Sequence, residues 1–131
     1  MKILNLYAGL GGNRLNWPRN AEVVSVERDK EIAERYRKIF PNDTVVVGDA
    51  HNYLIDHIEE DWDFVWGSPP CPTHSRCNQF TKATSGYKYP DMQLWQEILF
   101  LEKNAKFKWV IENVITYYKP LRPPTIFLVD I

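Results

Sequence analysis

The chain has 131 residues, 44% apolar and 25% charged, with a net charge of −1. That length suits one domain with a single core, and the composition excludes a disordered, fibrous or disulfide-scaffolded chain. No apolar run approaches the ~20 residues of a membrane span, and Asn5, Gly9, Gly11 and Gly12 deny the opening stretch the apolar centre of a signal peptide.

A cytoplasmic protein is therefore expected, with no membrane partner. Cys71 and Cys77, six positions apart, form no secreted disulfide framework and are expected to be reduced. Residues 1–66 carry 8 basic and 12 acidic groups (−4), and residues 67–131 carry 8 and 5 (+3). This mild skew is compatible with a polyanion partner for the second half, and equally with solvated surface.

In chain order, Lys2 to Ala8 is an apolar run that ends at Gly9-Leu-Gly-Gly12 and a weakly helical segment, which reads as strand, glycine turn, helix. Ala21 to Glu27 is β-branched and reads as a second strand. Asp29 is placed to cap a helix with Ile32, Tyr36 and Ile39 at helical spacing, ended by Pro41. Thr44 to Val47 is a third strand, Gly48-Asp49 its exit, and His51 to Ile58 a short helix. Trp62 to Trp66 is the fourth strand. Pro72 to Pro90 is polar and aperiodic, the kind of long loop that carries function. Asp91 then caps a helix expected to place Met92, Trp95, Ile98 and Leu99 on one face, and Lys108 to Glu112 is the fifth strand.

Alternating strands and helices predict an α/β domain with a mostly parallel sheet, whose ligands sit outside the carboxyl ends of the strands. The informative residues fall there: Gly9 to Gly12, Glu27, Asp49, Cys71, and Glu112 with Asn113 close the five strands in turn. A glycine turn lets backbone approach a ligand, and an acid ending the second strand can accept both hydroxyls of a ribose. Taken singly, each has a plainer reading: a tight turn, a solvated carboxylate, a helix cap at Asp49.

The fourth strand runs into Gly67-Ser-Pro-Pro-Cys-Pro-Thr-His-Ser75. Pro69, Pro70 and Pro72 each fix a φ angle, so Cys71 is held in a stiff extended frame, as a positioned nucleophile would be. A cysteine with the ordinary pKa near ~8.5 is mostly thiol at neutral pH, so such a nucleophile needs a site around it. A metal reading would take Cys71, His74 and Cys77 as ligands, with His51 or His57 as a fourth, but there is no second cysteine pair and three prolines stiffen the first ligand. His74 then reads as a loop residue and Cys77 as a bystander, while the five tryptophans and Met92 read as core.

Asn5-Leu-Tyr-Ala-Gly-Leu-Gly-Gly12, Glu27-Arg-Asp29, Gly48-Asp49, Ser68-Pro-Pro-Cys-Pro-Thr-His-Ser75 and Glu112-Asn-Val114 resemble, in order and spacing, the first half of the DNA cytosine-5 methyltransferases, especially small phage-like members. The resemblance implies a Rossmann-like fold that binds S-adenosylmethionine, with residues 1–66 as the cofactor part, 67–90 as the catalytic loop and 108–114 as the Glu-Asn-Val strand. By it, Tyr7, Ala8, Gly9, Leu10, Gly11 and Gly12 line the cofactor, Glu27 holds the ribose and Asp49 the adenine amino group. Arg28, Ala50, Pro70 and Leu94 are further implied contacts. Cys71 would add to carbon 6 of a flipped cytosine in double-stranded DNA, making carbon 5 nucleophilic. Glu112 would hold the ring at N3 and the exocyclic amine, Asn113 would brace the site, and Ser75, Arg76, Lys82 and Lys88 would meet DNA. No metal is implied. Amino-group methyltransferases share a Ser/Asp-Pro-Pro turn but resemble this chain less, since an aromatic stands where Cys71 is.

Three departures stand out: Asn5 where Asp is usual, Pro72 where Gln is common, and Arg28 where an aromatic often packs on adenine. The resemblance ends near Pro124. Full-length members continue with an arginine-bearing strand, a target-recognition region and a C-terminal helix, so Ile126 to Ile131 reads as a frameshift or premature-stop product, or as an added edge strand. The other reading is thus a catalytically incompetent cofactor-binding fragment, or half of a split enzyme completed by another chain or by self-association.

Overall fold

The computed structural model describes residues 1–75 and 89–126. Five strands alternate with helices: β1 (Lys2–Leu6), a 3-10 turn (Asn13–Asn16), β2 (Glu22–Glu27), α1 (Lys30–Ile39), β3 (Thr44–Val47), α2 (Ala50–Asp56), β4 (Phe64–Gly67), α3 (Gln93–Asn104) and β5 (Lys108–Ile111). They form one sheet in the order β3-β2-β1-β4-β5, parallel throughout. The sheet therefore winds outward from β1 in both directions. Val23 of β2 and Phe64 of β4 flank Ile3, and the register carries Gly67 to Ile111 at the carboxyl end of β5.

Strand periodicity assigns the two faces. Leu4, Leu6, Val24, Val26 and Val65 share one face with Ala50 and Leu54 of α2 and Leu101 of α3, and Trp62 closes that core. Full burial of a leucine such as Leu4 or Leu6 is worth roughly 1.5–3 kcal/mol, so this layer carries much of the fold's stability. On the other face α1 packs its buried Ala33 and Tyr36 against β2 and β3.

That second face holds a chain of polar groups. The Asn13 amide donates to Asn5 Oδ1 (2.8 Å), the Asn5 amide to Ser25 Oγ (3.3 Å), Ser25 Oγ to the Tyr36 hydroxyl (2.7 Å), and that hydroxyl to Asp43 Oδ2 (2.9 Å). Arg14 Nε completes it with an ion pair to Asp43 Oδ2 at 2.9 Å, both side chains nearly sealed from water. Each member lends the next a partner, which removes the cost of burying Asn5 and Ser25. Asn5 is thereby explained as a residue that must both donate and accept.

Of the three predicted caps, Asp29 and Asp49 hold the cap position. The Asp29 carboxylate accepts from the amides of Glu31 (2.8 Å) and Ile32 (3.1 Å), and that of Asp49 from Asn52 (3.0 Å). Asp91 accepts from the Gln93 amide (3.0 Å), although Met92 occupies the cap position itself.

Two expectations fail. In α3 the buried residues are Leu94, Trp95, Glu97 and Leu101, while Met92 (57% exposed) and Leu99 (64%) face outward. The apolar spacing supported two stripes, and the inward one includes a charged residue. Met92 is accordingly not core, and among the tryptophans only Trp62 and Trp95 are fully buried. In α1, Ile39 is half exposed because the helix ends at it, ahead of Phe40 and Pro41. Arg76, Cys77, Lys82, Lys88 and residues 127–131 lie outside the described residues.

Candidate active site

Where the winding reverses on either side of β1, the carboxyl ends of the strands diverge and leave a crevice. A cavity of about 540 Å³ opens there, within the usual range for small-molecule sites, lined by Tyr7, Glu27, Arg28, Asp29, Asp49, Ala50, Ser68, Pro70 and Gln93 among others. Six of the sequence-derived candidates, Tyr7, Glu27, Arg28, Asp49, Ala50 and Pro70, thus meet in one place. Ala8 is buried, Leu10 points out at 52% exposed, and Leu94 is buried beside the lining residue Gln93 without reaching the surface of the cavity. Gly9, Gly11 and Gly12 shape the turn without lining the cavity. Asp29, Ser68 and Gln93 are lining residues that sequence reasoning left out. Gln93 has a weak signal, as the first residue of the helix that follows the loop.

The turn after β1 is built on backbone that few residues accept. Gly9 and Gly11 have φ of +55° and +80°, and Tyr7 has φ of +56° without being glycine. At Gly11 an added Cβ would lie 2.4 Å from Phe40 and 2.6 Å from Tyr36, so both conformation and space exclude a side chain. Glu27 joins this turn to the end of β2: its Oε2 accepts from the Gly9 amide (2.9 Å) and its Oε1 from the Asp29 amide (2.8 Å). Its carboxylate is fixed at the cavity wall by two backbone donors.

A nonglycine residue in the left-handed region persists only where its surroundings hold it. The Tyr7 hydroxyl donates to Glu97 Oε1 at 2.5 Å, and His51 Nδ1 lies 3.0 Å from the same oxygen. Glu97 is fully buried, and its Oε2 has no hydrogen-bond partner among the described residues. Burial first, then the hydrogen bond to Glu97 and the nearby negative charges, push the Tyr7 hydroxyl far above the ordinary tyrosine range, so it stays a donor.

At the end of β4 the rim becomes the proline turn. Cys71 is a free, half-buried thiol. Its carbonyl accepts from the amides of His74 (3.0 Å) and Ser75 (3.2 Å), closing a compact turn directly after the thiol. Asn113 Nδ2 donates to the Pro69 carbonyl (2.9 Å), tying the end of β5 to the proline run. Glu112 continues the β4–β5 ladder through its amide to the Gly67 carbonyl (2.9 Å) and is half-buried. Ser75 bridges Thr116 in antiparallel fashion. His74 is fully buried, with Nδ1 2.6 Å from the Tyr118 hydroxyl, which also accepts from Trp95 Nε1 (3.1 Å). It serves as the loop's internal anchor, a burial that its sequence neighbours did not signal.

An open parallel sheet with an acid-rimmed crevice at its winding reversal defines the class of doubly wound α/β domains built to hold a small organic ligand at the strand ends. Within that class the chain belongs to the C-5 cytosine-specific DNA methylases, whose family model matches residues 1–120. It is similar in structure to an E. coli prophage protein assigned as a DNA modification methyltransferase. The TM-score is 0.60 at 21% identity, over 91% of this chain and 33% of that one. At this identity the likeness speaks for the fold alone, and the chain spans about one third of that protein's length. No curated protein matches the chain.

Proposed function

We propose that this chain binds S-adenosylmethionine in the crevice and serves methylation of carbon 5 of cytosine in DNA, with Cys71 as nucleophile. The observation that carries the reading is the adjacency, in a chain of this family, of an acid-lined crevice to a thiol held on the same rim: Pro70 lines the crevice and Cys71 follows it. The lining fits the cofactor. Glu27, Asp29 and Asp49 offer acceptors for hydroxyl and amino groups, and negative charge for a cationic ligand. When bound there, S-adenosylmethionine supplies an electrophilic methyl group.

The chain's own residues would act on the base. The Cys71 thiolate adds to carbon 6, forming a carbon–sulfur bond and pushing electron density to carbon 5, which can then accept a methyl group. With S-adenosylhomocysteine as the departing product, loss of the carbon 5 proton to solvent water and expulsion of the Cys71 thiolate would restore the aromatic ring. Glu112 would hydrogen-bond N3 and the exocyclic amine during the attack, and Asn113 would keep the proline turn at its station through the Pro69 carbonyl. Because carbon 6 is shielded within a stacked duplex, the base would have to be flipped out. Ser75, Arg76, Lys82 and Lys88 are the proposed DNA contacts.

A second reading follows from the one-third coverage of the prophage protein. In it, the chain supplies the cofactor crevice and the thiol, and a further polypeptide or a second copy completes the active site. The test is transfer of labelled methyl from S-adenosylmethionine to cytosine-containing duplex DNA, with Cys71→Ser as control. Incorporation that disappears in the control supports stand-alone catalysis. Cofactor binding without incorporation supports the second reading, and absence of cofactor binding overturns both.

A further inference from the structure

We infer that Glu97, which has no surface in the crevice, is a positioning residue for ligand binding: it holds the Tyr7 ring in the crevice wall and locks the first turns of α2 and α3 around it. The inference rests on the crevice being the S-adenosylmethionine site. The family match spans this residue, and neither it nor the resemblance assigns the residue a role.

Three elements meet on one carboxylate. Tyr7 comes from the end of β1, His51 from α2 immediately after the lining residue Ala50, and Glu97 from α3 one turn beyond the lining residue Gln93. A fully buried carboxylate is costly unless paired, and among the described residues its hydrogen bonds converge on Oε1. The Tyr7 hydroxyl and His51 Nδ1 are thus held to one point, the oxygen Oε1. The left-handed backbone of Tyr7 sets up the same demand from the other end. Released from Glu97, that residue can return to ordinary backbone geometry, and its ring leaves the wall it now forms. His51 and Gln93 would lose the tie that keeps both helix starts in register.

The experiment compares the wild-type chain with Glu97→Leu, Glu97→Gln, Tyr7→Phe and the Tyr7→Phe/Glu97→Leu double variant. S-adenosylhomocysteine binding is measured by calorimetry, and ligand-free melting by circular dichroism. Loss of a hydrogen bond to a charged group predicts about tenfold or more weaker binding for Glu97→Leu and for Tyr7→Phe, whereas Glu97→Gln, which keeps a carbonyl acceptor, recovers most of the affinity. The double variant is expected to bind no more weakly than Glu97→Leu alone, because both changes cut the same link. Multiplying losses, or a folded Glu97→Leu that binds like wild type, overturn the inference. Should Glu97→Leu not fold, Tyr7→Phe decides: a tenfold loss supports the link and an unchanged affinity overturns it. Wild type that binds no S-adenosylhomocysteine overturns the crevice reading first, and this inference with it.

Discussion

The β1–β3 side of the sheet and the β4–β5 side are held by different means. On the first, β1 and β2 bury almost every residue, α1 seals a polar chain ending in the Arg14–Asp43 ion pair, and Glu27 is fixed by two backbone amides. On the second, β5 alternates half-buried with exposed residues, and among the described residues the proline turn is tied by hydrogen bonds that include Asn113 to Pro69 and His74 to Tyr118. The crevice is thus shaped by packing, which fails cooperatively, whereas the thiol is stationed by single hydrogen bonds, which fail one at a time. Lesions on the two sides should separate stability from chemistry.

The largest effect is expected at Asp43. Asp43→Ala leaves Arg14 buried without its carboxylate and removes the acceptor of Tyr36, and should cost about 3–5 kcal/mol, read from urea unfolding. A cost near that of an exposed ion pair would erase the contrast drawn above. Next comes Gly11→Ala. The strained φ and the collision with Phe40 and Tyr36 together predict about 2–4 kcal/mol, again by urea unfolding. On the other side, Asn113→Ala should cost only about 0.5–1.5 kcal/mol of stability. Misplacement of the turn should nevertheless slow the proposed methyl transfer roughly 10- to 100-fold, with affinity for the proposed cofactor unchanged. Equal damage to both readouts would show that the turn is part of the packed body.

The mildest test is alkaline pH. Burial, foremost among its causes, pushes the Tyr36 hydroxyl up to about 12, and Tyr7 is raised further still. An unfolded tyrosine titrates near ~10, so above that pH the unfolded chain loses protons that the folded chain keeps. The stabilisation from these groups is complete below about pH 10; that from Tyr36 is lost as pH rises through about 12, and that from Tyr7 goes on falling beyond it. Urea midpoints should therefore be flat from pH 7 to 9 and fall beyond 10, less steeply in Tyr36→Phe compared with its own neutral value.

These two sides also differed in how much could be read from the sequence. The strand ends were legible because each combines a β-branched run with a turn residue of known chemistry, as at Val26-Glu27 and Val47-Gly48-Asp49. The caps Asp29 and Asp49 were legible because their partners lie two or three residues away. What escaped depends on partners far along the chain. Glu97 is mid-helix and charged, which locally reads as solvated surface, and its burial makes sense only with Tyr7 and His51, 90 and 46 positions distant. The Arg14–Asp43 pair and the His74–Tyr118 contact hide for the same reason. The outward turn of Met92 and Leu99 follows from Glu97, since a helix face that admits a carboxylate is not the face apolar spacing selects.

The central place of β1 has a consequence in time. Its two neighbours in the sheet, β2 and β4, begin 20 and 62 residues after it. During synthesis at about 5–20 residues per second, one edge of this deeply buried strand waits several seconds for its partner. Until β4 emerges, the crevice has only one wall, and the unpaired edge of Lys2–Leu6 is open to any other strand nearby. The crevice is therefore among the last parts of the sheet to exist, and a crowded ribosome is where this fold is most easily lost.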